Sequence, residues 1–112
     1  MAKKITSEYD SELDTFHAYS EEIKKGITGC LSIGDFNIDI GDDNKVVGIE
    51  LEQASKNLHL SPEILSSPDK ADLIIQKSGN NLLMGVGIIK GMIQSSTHIT
   101  ALPNQMPMPV RC

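Results

Sequence analysis

Alternation of apolar and polar residues runs through most of this chain, and it predicts strands. In residues 13–20, Phe16 and Ala18 share one face while Thr15, His17 and Tyr19 share the other. A shorter stretch, 5–9, reads the same way. Leu31 and Ile33 hold one phase, and Phe36, Ile38 and Ile40 hold another. The break at Gly34-Asp35 marks a bulge or tight turn. The acidic run 39–45 then returns the chain, with Asn44 suited to the left-handed conformation of such a turn. Val47, Ile49 and Leu51 form the core face of the next strand, and Gly48 and Glu50 point away from it. Residues 52–58 are compatible with a helix. So is a second short segment opening at Ser61-Pro62-Glu63, which offers an N-cap, a proline at the first helical position and an early acid. Ser66-Ser67-Pro68-Asp69 ends it.

Beyond the helices, Ala71, Leu73 and Ile75 alternate with polar neighbours, and Ser78-Gly79-Asn80-Asn81 predicts a hairpin turn. Leu82, Met84, Val86 and Ile88 line one face of a long strand, with Leu83, Gly85, Gly87 and Ile89 on the other. Gly91 ends it, and 97–102 alternates again. The order of elements predicts an α+β fold: a mainly antiparallel β-sheet of about six strands, with two short helices inserted mid-chain. The 112 residues suit a single domain. Within it, 1–60 is a β-rich half with a helix, 61–102 a second strand-rich half, and 103–112 an irregular, proline-bearing tail.

Two blocks of the first half carry a likeness. One is Tyr9-Asp10-Ser11-Glu12-Leu13-Asp14-Thr15-Phe16-His17-Ala18-Tyr19. The other, 39–55, places Asp39 and an acidic turn before Val46-Val47, Gly48-Ile49-Glu50 and Ala54-Ser55. Together they resemble a family of small prokaryotic domains of unknown function, over roughly residues 9–58. This chain has Asn44 where that family often has glycine, and it adds a strand-rich second half. The resemblance implies a turn–strand–turn–strand–helix layout and no activity. Members that sit beside small basic toxin-like proteins imply a binding or antitoxin role.

Composition narrows the function classes. Hydrophobic residues make up 39% of the chain but aromatics only 4%, with no Trp, so the core is aliphatic. The formal net charge of −5 opposes direct nucleic-acid binding, which needs a basic surface, and fits either a plainly solvated acidic surface or a basic protein partner. The apolar run 82–89 is too short to span a bilayer, so no membrane association is expected. Cys30 and Cys112 share no metal-type spacing and read as reduced thiols of a cytoplasmic protein; no apolar signal core follows Lys3-Lys4.

Candidate chemistry is sparse. Asp39, Asp42 and Asp43 offer oxygen ligands to a hard cation, yet they lack the alternation and closing glutamate of an EF-hand. His17, Cys30, His59, His98 and Cys112 lie too far apart for a zinc spacing. Gly85-Val86-Gly87 with Gly91 imitates a dinucleotide loop, but the glycines fall inside a strand. No cofactor is expected. The surfaces to consider are the acidic turn Asp39 to Asn44 and the strand face with Thr15, His17 and Tyr19, together with Glu50 beside Gly48. The pattern favours a non-enzymatic interaction module. Its alternatives are a metal- or small-molecule-dependent enzyme with a site at a subunit interface, using His17 with Asp14 or Glu12, and an acidic antitoxin-like partner of a small basic protein. The strand 82–89 looks buried on both faces, which favours a homo-oligomer.

Overall fold

A computed structural model describes residues 4–101; of Asp43 it describes the backbone alone. The fold is α+β with mainly antiparallel sheet. In chain order its elements are β1 (Ile5–Asp10), β2 (Thr15–Ser20), β3 (Gly29–Ile33), β4 (Phe36–Ile40), β5 (Val46–Leu51), α1 (Ala54–Leu58), α2 (Pro62–Ser66), β6 (Lys70–Ser78), β7 (Asn81–Lys90) and β8 (Ile93–Ala101). Single 3₁₀ turns occupy Glu21–Lys25 and Asp42–Asn44. The strands form two sheets. One has five strands in the order β1-β2-β5-β4-β3, and the other is the meander β6-β7-β8. The second half of the chain thus builds its own layer.

Local sequence sets the turns. Each of the hairpins β3–β4, β6–β7 and β7–β8 closes through two residues, and the first is glycine: Gly34 at φ 57°, Gly79 at φ 60° and Gly91 at φ 59°. That is where a type II′ turn requires positive φ. Asn44, at φ 57°, supplies the left-handed residue between β4 and β5. Gly85 and Gly87 lie within β7, as expected, and form no phosphate loop.

The core is one contiguous cluster. Phe16 and Ala18 of β2, Phe36 and Ile38 of β4, and Ile49 and Leu51 of β5 face Met84, Val86 and Ile88 of β7. Ala54 and Leu58 of α1 and Leu65 of α2 pack into the same cluster, all nearly inaccessible. Removing each of the larger side chains, the Leu, Ile, Val, Met and Phe of this cluster, from water is worth about 1.5–3 kcal/mol.

Asp14 docks α1 onto the sheet. It sits at φ 53°, and its carbonyl accepts from the Ala54 N–H at 2.9 Å. Its carboxylate accepts from the Ser55 N–H at 3.1 Å and the Ser55 hydroxyl at 2.7 Å, so it caps the helix from a distant turn. Tyr9 donates to the same carboxylate at 2.7 Å. Burial pushes the Tyr9 phenol up to about 12, with the Asp14 hydrogen bond adding to it. Burial also pushes Asp14 upward, but the hydrogen bonds from Tyr9 and Ser55 outweigh it and hold the carboxyl below its ordinary value.

Several local expectations are corrected. The Ser61 side chain makes no capping bond to α2, although Pro62 does occupy the first turn. The strand expected over 13–20 begins at Thr15, because the turn holds Leu13 out in solvent at 72% exposure. The last strand starts earlier than alternation suggested, at Ile93, since the Gly91 turn leads straight into pairing with β7. Cys30 is disulfide-bonded and is no reduced thiol. Chain separation alone cannot reveal which sulfurs the fold brings within reach. Cys112 lies outside the described residues.

Candidate functional site

The outward face of the five-stranded sheet is built by register. One row runs Glu8, His17, Glu50, Asn37 and Ser32, and the next runs Thr6, Tyr19, Gly48, Asp39 and Cys30. Gly48 stands between Tyr19 and Asp39 with no side chain of its own. His17 reaches diagonally across that gap, and its Nε2 lies 2.9 Å from Asp39 Oδ2. A Cβ on Gly48 would come within 2.6 Å of that carboxylate oxygen, 3.1 Å of His17 Nε2 and 3.2 Å of Tyr19 Cβ. The bare glycine is therefore the space the pair occupies. Tyr19 stacks at a tilt on His17, with ring centroids 4.8 Å apart, and donates its hydroxyl to Glu8 at 2.6 Å.

Charge on this face is one-sided. Strands β1 to β5 contain no Lys or Arg, while Glu8, Asp10, Asp39 and Glu50 all stand on their outward phase. The hydrogen bond to Asp39 raises the His17 pKa above its ordinary value; burial opposes this, and Glu50 and Glu8 reinforce it. The Tyr19 phenol is pushed up by its bond to Glu8. Beside the pair, a shallow groove of about 250 Å³ is lined by Glu8, Asp10, Thr15, His17 and Glu50 among others.

Of the residues expected from sequence, Thr15, His17 and Glu50 meet in this groove and Tyr19 flanks it. Asp39, read as a metal ligand, faces His17 instead. Asp42 lies in the 3₁₀ turn at the far end of β4, and the Asp43 side chain is outside the described set. Among the described residues, no three His, Cys, Asp or Glu side chains are grouped to hold a metal ion. Pairing of His17 with Asp14 or Glu12 is corrected. Asp14 is committed to Tyr9 and Ser55, and Glu12 lies in the exposed turn whose backbone N–H groups bond Asp10. The true partner is 22 positions along the chain. The shared outward phase of Asp39 and Gly48 was the signal that could have found it.

An imidazole held by a carboxylate can act as a fixed cation when protonated or as an oriented base when neutral. Two hydroxyls lie two positions from His17: Tyr19 gives its own to Glu8, and Thr15 turns back to the Leu13 carbonyl at 3.4 Å. Replacing Asp39 by Asn removes the leading cause of the raised His17 pKa, so the His17 midpoint followed by NMR falls. The sign follows from linkage. A raised folded-state pKa stabilises fully below the ordinary value of 6.5 and is lost as pH rises through the folded value. The wild type therefore exceeds Asp39→Asn in stability on the acid side, and the advantage shrinks toward alkaline pH. An unmoved His17 midpoint would contradict the pairing.

Comparison with protein-family models, curated proteins and solved structures returned no match for this chain. No helix among the described residues is long and apolar enough to cross a membrane.

Proposed function

We propose that this protein is a non-enzymatic interaction module that docks a basic protein segment on the outward face of its five-stranded sheet. One observation carries the reading: four carboxylates stand on the outward phase of five adjoining strands that contain no Lys or Arg. Clustered charge of one sign steers and selects an oppositely charged partner. The likeness of the first half to small domains found beside basic toxin-like proteins agrees with an antitoxin-like form of this role. A homo-oligomer is part of the proposal, with the Leu83 and Ile89 face of β7 as the self-association surface. The cytoplasmic location expected from reduced thiols loses support at Cys30, because disulfides persist mainly in oxidising compartments.

The His17–Asp39 pair favours a second reading, an enzyme whose reacting group comes from another subunit. One experiment tests the docking reading. An oligolysine peptide is titrated against the wild type, the Glu8→Gln/Glu50→Gln double variant and an Asp69→Asn control. The expected result is binding weakened about tenfold in the double variant and by added salt, with the control unchanged. Equal binding by all three proteins overturns the assignment of this face.

A further inference from the structure

A second, independent feature lies between the two layers, where the sheets part. A cavity of about 690 Å³ opens between the start of β5 and the β6–β7 hairpin. Its floor includes Val46, Leu73, Ile75 and Leu82. Leu73 and Ile75 pair with Val86 and Met84, which are fully buried, so they stand on the core-facing phase. Ile75 is nevertheless 40% exposed, because the hairpin runs past the sheet that covers its neighbours.

Lys77 continues that same inward phase, opposite Leu82, and lines the cavity mouth with Lys45. A lysine in register with core positions usually lays its stem on apolar surface and sends its ammonium to the rim. Among the described residues, neither Lys45 nor Lys77 has a carboxylate partner. Asp72, the acid at the same rim, has Lys70 at 3.7 Å. Size, apolar floor and a few polar groups at the mouth match a small-molecule site.

We propose that this cavity binds an amphipathic anion, an aliphatic monocarboxylate whose chain lies on Leu73, Ile75 and Leu82 and whose head meets Lys45 and Lys77. The net charge of −5 repels anions at long range, so recognition depends on these two local cations.

The test titrates the full chain with decanoate, decanol and decyltrimethylammonium below their micelle concentrations, by calorimetry and methyl NMR. Decanoate is expected to saturate, to shift the Val46, Leu73 and Leu82 methyls, and to bind at least about tenfold tighter than the cationic analogue. The Lys45→Gln/Lys77→Gln variant, altered at two exposed side chains, is expected to lose that preference while still binding decanol. Absence of saturable decanoate binding, shifts confined to other methyls, or an unchanged preference in the variant would each overturn the proposal.

Discussion

Replacing Gly85 by Ala is expected to cost about 3 kcal/mol or more, whereas Gly87→Ala, two residues along on the same face of β7, leaves stability within about 0.5 kcal/mol. A Cβ on Gly85 would overlap the Thr97 carbonyl oxygen and come within 2.7 Å of His98 Cβ and 2.8 Å of His98 Cα. These obstacles are mostly backbone of β8, and no rotamer change clears them. Relief requires the two strands to separate over part of the ladder that pairs Leu82 with Ala101 and Lys90 with Ile93. The Cβ on Gly87 meets Ser96 Cβ at 3.6 Å, an ordinary contact. Urea denaturation of both variants decides the matter. Similar midpoints for the two would show that the close approach of β8 is not what requires glycine.

The second large effect is at Gly48. Gly48→Ala is expected to lose about 1–3 kcal/mol. In the same variant the raised His17 midpoint falls, because the new methyl occupies the gap between imidazole and carboxylate. The cost is expected to be non-additive with Asp39→Ala. Once the carboxylate is gone, the closest obstacle at 2.6 Å goes with it, and the remaining contacts at 3.1 and 3.2 Å need only small adjustments. Full additivity in a double-mutant cycle would mean that Gly48 and Asp39 act separately.

Much of the fold was legible because two signals are local. Alternation put Phe16, Ile38, Ile49 and Leu51 on a buried face, and turn chemistry placed Gly34, Gly79 and Asn44, while Gly91 was legible only as a strand end. The division into two sheets was not legible, since a strand's pattern shows which face it buries but not which strand it pairs with. The same limit applied to the site. His17, Tyr19, Thr15 and Glu50 could be placed on one face by counting, but the partner of His17 depended on β5 lying between β2 and β4. Asp14 misled for a related reason. Its left-handed turn directs the carboxylate to Ser55, 41 positions away, and sequence proximity to His17 suggested otherwise.

The strand order has a kinetic consequence. β1 with β2, and β3 with β4, are neighbours in sequence, so each hairpin closes a short loop at modest entropic cost. β5 is the last of the five to emerge from the ribosome, and it zips the two hairpins together. His17 belongs to the first hairpin and Asp39 to the second. Neither hairpin alone holds the pair, and the gap at Gly48 arrives with β5. The outward face with its central imidazole is thus complete only once β5 has paired with both hairpins, and a nascent chain stalled before residue 46 carries His17 and Asp39 without the strand that sets them side by side.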